Sequence, residues 1–151
     1  MNVLVSACLL GVECKYSGGS NAHPFLMEAA RRGGVQLIPV CPECYGGLPI
    51  PRAPSEQRGG RVYAKTGEDL TEAFERGARA ALHLARLYGC RHAILKERSP
   101  SCGSGLIYDG SFSDALTPGQ GVAARLLRAN GVQVWGESQA RAFFAALPPL
   151  A

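Results

Sequence analysis

At 151 residues the chain has the length of one ordinary domain, and its 46% hydrophobic content is that of a globular protein able to bury a core. Only 19% of residues are charged and the formal net charge is +4, with the arginines spread out instead of gathered in one block. That balance suits an anionic ligand or a solvated basic surface and is no signature of nucleic-acid binding, and no segment approaches the ~18 apolar residues that a membrane span needs.

The first apolar run, residues 3–10, is short, and no cleavage site follows a longer apolar stretch. It reads as a buried strand (residues 3–7) rather than a signal peptide, which makes the protein cytoplasmic with no membrane partner. A helix is expected over 24–32, then a second strand over 36–40. The stretch 46–67 holds three prolines and five glycines with one short apolar run at 61–64, and reads as an active-site loop with one short edge strand. Leu70, Phe74, Ala78, Ala81, Ala85 and Tyr88 repeat at helical spacing, and Gly89 is placed to end that helix. A third strand is expected at 93–96. The next helix opens with Thr117 as cap, Pro118 in the first turn and Gln120 completing a capping box, and runs to about Ala129. A fourth strand (132–135) and a last helix (138–147), halted by Pro148 and Pro149, complete the chain. Strands alternating with helices predict a single α/β domain over 1–151, Rossmann-like, with an open and mainly parallel sheet of about four to five strands.

Six cysteines are many for such a chain, and in a reducing cytosol they point to metal binding or catalysis rather than disulfides. Cys8 follows the first expected strand, Cys41 the second, and Cys102 stands a few residues after the third. In an open parallel sheet the strand C-termini share one edge, where ligands bind. Three thiols distant in sequence therefore converge. They suit zinc, which takes four N or S ligands in a structural site, or an iron–sulfur cluster. With three protein ligands, one metal position stays open to substrate. His23 and His83 are expected at the surface or at caps, and His92 begins a strand. Cys90 reads as a small buried hydrophobe.

Cys41-Pro42-Glu43-Cys44 has the spacing of a redox dithiol. Such motifs work at a helix N-terminus, and the Tyr45-Gly46-Gly47-Leu48-Pro49 that follows is a poor helix start, which disfavours that reading. Glu43, between two cysteines, is a candidate general acid or base. The segment 96–105, Lys-Glu-Arg-Ser-Pro-Ser-Cys-Gly-Ser-Gly, offers hydroxyls and free backbone N–H groups to cradle an anion or polarise a carbonyl-like group.

Taken in order along nearly the whole chain, several motifs resemble the thiouracil desulfurase family. They are Ser6-Ala7-Cys8-Leu9-Leu10-Gly11, Cys14-Lys15-Tyr16-Ser17-Gly18-Gly19, Val40-Cys41-Pro42-Glu43 and Gly46-Gly47-Leu48-Pro49. Pro51-Arg52-Ala53-Pro54-Ser55-Glu56, the run from Leu95 to Gly103, and Ile107-Tyr108-Asp109-Gly110 continue the match. The resemblance implies a [4Fe-4S] cluster on Cys8, Cys41 and Cys102, and removal of sulfur from a small thiolated pyrimidine such as 2-thiouracil. It implies catalytic roles for Glu43 and Ser99, while Ser101 and Cys14 are expected to line the substrate pocket. The family usually carries an acidic residue where Ser17 stands. Two rival readings are a zinc-binding module without catalysis and a sulfur-trafficking partner. The second would need ATP activation, and the chain has no Walker-type motif. Nucleic-acid binding is disfavoured by the lack of a clustered basic and aromatic surface, and nothing in the sequence reports the oligomeric state.

Overall fold

The computed structural model describes residues 1–148. Its elements run β1 (Asn2–Ser6), a 3-10 turn (Ala7–Leu10), α1 (Pro24–Arg32), β2 (Gln36–Val40), α2 (Pro42–Tyr45), β3 (Ser55–Arg58) and β4 (Arg61–Ala64). They continue with α3 (Thr71–Leu87), β5 (His92–Leu95), β6 (Leu106–Tyr108), β7 (Leu116–Pro118), α4 (Val122–Ala129), β8 (Gln133–Gly136), a 3-10 turn (Glu137–Gln139) and α5 (Ala140–Ala145).

Alternation along β1 sorts the core. Val3 and Val5 face one side and Leu4 the other, all three without exposed surface. β1 is the centre of a parallel sheet in the order β2-β1-β5-β8, with Leu4 opposite Ile38 on one side and Ala93 on the other. Leu26 of α1 and Ala140 and Phe143 of α5 cover the Val3 face. Ala81 and Ala85 of α3, with Ala124 and Leu127 of α4, cover the Leu4 face. Each fully buried Leu, Ile or Phe contributes about 1.5–3 kcal/mol relative to exposure, so the two helical layers fix the sheet and hence its strand ends.

The expected parallel α/β sheet is present, with four strands; of the expected stripe α3 buries Phe74, Ala78, Ala81 and Ala85, while Leu70 and Tyr88 fall at its caps and Tyr88 is exposed. Three expectations are corrected. The Pro/Gly-rich stretch holds two strands, β3 and β4, paired antiparallel around Gly59-Gly60, both with left-handed φ. Thr117 and Pro118 are not a helix start but part of β7, which pairs with β6. α4 begins only at Val122, because its first N–H groups bond to carbonyls of the preceding cysteine loop: Val122 to Pro100 (2.9 Å) and Ala123 to Ser101 (2.9 Å). Finally, Pro42–Tyr45 is a helical turn, with Pro42 at its first position. Cys41 thus caps a turn where a poor helix start was expected. Gly46 and Gly77 explain it. A Cβ on Gly46 would lie 2.1 Å from the Ala73 carbonyl oxygen, and one on Gly77 would lie 1.7 Å from that of Pro42, so α2 seats backbone to backbone on α3. Pro149, expected to help end the last helix, lies outside the described residues. Among the described residues, no helix is long and apolar enough to cross a membrane.

Candidate active site

β1, β2 and β5 run in parallel, so their C-terminal ends share one edge of the sheet. Cys8 sits in the 3-10 turn leaving β1, Cys41 directly follows β2, and Cys102 lies in the loop after β5. All three line one cleft of about 670 Å³, and so do Cys14, Glu43, Ser99 and Ser101. Every residue singled out for the site therefore borders the same space. Among the described residues, no three His, Cys, Asp or Glu side chains are gathered as the ligands of a single metal ion. The exposed Ser17 does not line the cleft.

Glu43 is held from both sides. Arg52 donates from Nε to Glu43 Oε1 at 3.1 Å, with the two side chains only 7% and 15% exposed. Ser101 Oγ donates to Glu43 Oε2 at 2.8 Å. A serine hydroxyl has one proton. With that proton committed to the carboxylate, Ser99 is the donor in the 2.9 Å contact between the Ser99 and Ser101 hydroxyls. Ser99 Oγ in turn accepts from the backbone N–H groups of Ser101 (3.2 Å) and Cys102 (3.1 Å). A directed chain of hydroxyls thus runs from Ser99 through Ser101 to Glu43. It also corrects the expected anion cradle. The N–H groups of Ser101 and Cys102 turn inward to Ser99 Oγ, and that of Gly103 bonds to the Ser99 carbonyl at 2.8 Å.

Arg52 went unassigned in the sequence reading, although its Pro-flanked motif was visible. Its Nη2 donates to the Cys14 carbonyl at 2.9 Å and its Nη1 to that of Pro49 at 3.1 Å. Burial opposes its charge, but Glu43 and the neighbouring Cys41 and Cys44 outweigh that and raise its pKa. The Cys41 and Cys44 thiols also point at the Cys14 carbonyl, at 3.8 and 3.9 Å.

Burial is the main influence on the thiols. It pushes Cys102 up to about 12, against a hydrogen bond from Ser6. It also raises Cys8, where the Asn21 amide 3.4 Å from Sγ and the charge of Lys96 work the other way. Cys14 and Cys44 are raised by burial and by the neighbouring Cys41. Burial thus favours the neutral thiol at Cys8, Cys14, Cys44 and Cys102, so binding a metal through such a thiol displaces a proton. Lys96 is fixed beside Cys8 by Glu137, 2.6 Å from its Nζ, and both residues line the cleft. Cys90 is buried in the hydrophobic layer under α3 and α4, away from the cleft, as a small hydrophobe would be.

The chain is similar to known proteins along most of its length. The 2-thiouracil desulfurase family profile matches residues 3–139. The uncharacterized protein YbbK of Bacillus subtilis (strain 168) is 38% identical over 147 residues, covering 91% of this chain and 96% of its own. The solved structure of TudS, described as a [4Fe-4S]-dependent thiouracil desulfidase, superposes with a TM-score of 0.89 at 43% identity, covering 96% of each chain. With the profile matched over nearly the whole chain and a similar fold at this identity, the chain belongs to the 2-thiouracil desulfurase family.

Proposed function

We propose that this protein is a [4Fe-4S]-dependent desulfurase that removes sulfur from a thiolated pyrimidine such as 2-thiouracil. The observation that carries the proposal is the convergence of Cys8, Cys41 and Cys102 on one cleft with Glu43. The donor set fits the cluster: three soft thiols from three separate loops line the cleft, with Cys14 lining it beside them and Cys44 on the same helical turn that follows Cys41. Cys8, Cys41 and Cys102 would hold it. When bound, the cluster supplies an iron with an open position that acts as a Lewis acid toward the substrate sulfur.

The protein groups supply the rest. Glu43, fixed by Arg52 and Ser101, takes a proton from a water that attacks the thiocarbonyl carbon. The new C–O bond forms as the C–S bond breaks. The carbon becomes a carbonyl, and the sulfur leaves as sulfide with the protons released. No net oxidation occurs. Ser99 orients the Ser101 hydroxyl and thereby the carboxylate, and with Ser101 and Cys14 it walls the pocket that receives the ring. Six free cysteines suit the reducing cytoplasm.

Turnover tests the proposal. The anaerobically purified protein is expected to convert 2-thiouracil to uracil and sulfide in equal amounts. A Glu43→Gln protein should keep its iron and sulfide and lose turnover by about 10²–10⁴-fold, the usual contribution of a positioned base. A cluster-loaded wild type that leaves 2-thiouracil intact would refute the substrate, and a fully active Glu43→Gln protein would refute the base.

A further inference from the structure

The lining of the cleft includes a residue in an unusual conformation. The turn joining β6 to β7 is closed by Asp109 N donating to the Ala115 carbonyl at 2.9 Å, and it holds two non-glycine residues with left-handed φ, Phe112 at 56° and Asp114 at 61°. A bulky aromatic is rarely found in that region. Here it persists because the turn is pinned. The buried carboxylate of Glu56, on β3, accepts from the backbone N–H groups of Gly110 (3.0 Å) and Phe112 (3.1 Å) through one oxygen. Gly110 lies so close to β3 that a Cβ there would sit 2.7 Å from the Gln57 carbonyl oxygen. The outcome is that Phe112 borders the same cleft as the three thiols and Glu43.

We propose that Phe112 is a substrate-contacting residue that packs on the face of the thiolated ring, and that Glu56 is a positioning residue acting through it. The inference rests on the desulfurase reading and sharpens it: the substrate class is a planar, aromatic heterocycle whose ring face, and not only its sulfur, is recognised. A ring face needs a flat apolar partner, and base–aromatic stacking tolerates changes at the ring edge. A rigid aromatic held by a backbone anchor meets that need without ordering a mobile loop on binding.

The test compares anaerobic, cluster-loaded wild type with Phe112→Ala, Phe112→Tyr, Glu56→Ala, Glu56→Gln and the Phe112→Ala/Glu56→Ala double variant. KM and kcat are measured for 2-thiouracil, and the dissociation constant of uracil, which has the ring but no sulfur, by equilibrium dialysis. Phe112→Ala should raise both KM and the uracil constant by about tenfold, with kcat changed by less than about twofold. Phe112→Tyr should restore both. Glu56→Ala should mimic Phe112→Ala, and Glu56→Gln, which keeps an acceptor oxygen, should resemble wild type. The double variant should be no worse than Phe112→Ala alone. If Phe112→Ala turns over normally with unchanged KM and uracil binding, the ring contact is wrong and the desulfurase reading stands. Additive losses in the double variant would remove Glu56 from the proposal. Uracil binding without turnover in wild type would overturn the desulfurase reading alone, and dialysis of Phe112→Ala would still decide the contact. A wild type that neither binds uracil nor acts on 2-thiouracil would overturn both.

Discussion

Arg52 ties the site together at the scale of single residues. Its guanidinium reaches Glu43, the Cys14 carbonyl and the Pro49 carbonyl, and its own N–H bonds to the Tyr16 carbonyl at 2.8 Å. Removing it would leave the half-buried Glu43 carboxylate with Ser101 as its remaining side-chain partner, a loss of a charged hydrogen bond that costs about 1–3 kcal/mol. Chemical denaturation of Arg52→Ala should show a loss of that order. Arg52→Lys should recover only part of it, because an ammonium cannot reproduce the three-way planar fork. A loss below about 1 kcal/mol, typical of exposed pairs, would contradict the burial argument. The sequence showed Glu43 as chemically interesting but not its partner. Nothing local connects residues 43 and 52; the pair forms only because the proline-rich segment folds back over the cysteine turn. Glu56 and Phe112 were illegible for the same reason, since their bonds span 54 and 56 residues of chain.

Between elements, the contact of α2 with α3 sets where Cys41 and Glu43 stand. Gly77 lies in the interior of a helix of 17 residues, where glycine is costlier than alanine by about 1 kcal/mol. It is required because the Pro42 carbonyl occupies the space of its Cβ. Gly77→Ala should push α2 away, lowering stability by about 1–3 kcal/mol despite the better helix propensity, and the protein should lose iron faster on exposure to a chelator. A stabilised Gly77→Ala protein with normal iron retention would contradict the contact. The regular elements were legible where periodicity is strong, as in α3 and the apolar strands. The exceptions have tertiary causes. Ser55-Glu56-Gln57-Arg58 is too polar to read as a strand, yet it pairs along β4. The Thr117-Pro118 signal fits a helix start, yet pairing with β6 claims it, and the carbonyls of the cysteine loop set the true start of α4.

Across the whole molecule, the parallel sheet converts sequence distance into proximity. Cys8, Cys41 and Cys102 follow three strands that are neighbours in space, so their convergence was readable once the strands were recognised. Of the other three, Cys14 also lines the cleft, Cys44 lies on the turn that follows Cys41, and Cys90 is buried in the apolar layer under the helices. On the proposed function, the six free cysteines divide into Cys8, Cys41 and Cys102, which would hold the cluster, and three that would not. Iron and acid-labile sulfide per chain, measured on anaerobic wild type and on each single Cys→Ser variant, test that division directly. Near-equal iron and sulfide, about four of each, are expected in wild type. Cys8→Ser, Cys41→Ser and Cys102→Ser should each lose most of both, while Cys14→Ser, Cys44→Ser and Cys90→Ser keep them. Full iron and sulfide in any of the first three variants, or zinc without sulfide in the wild type, would contradict the account.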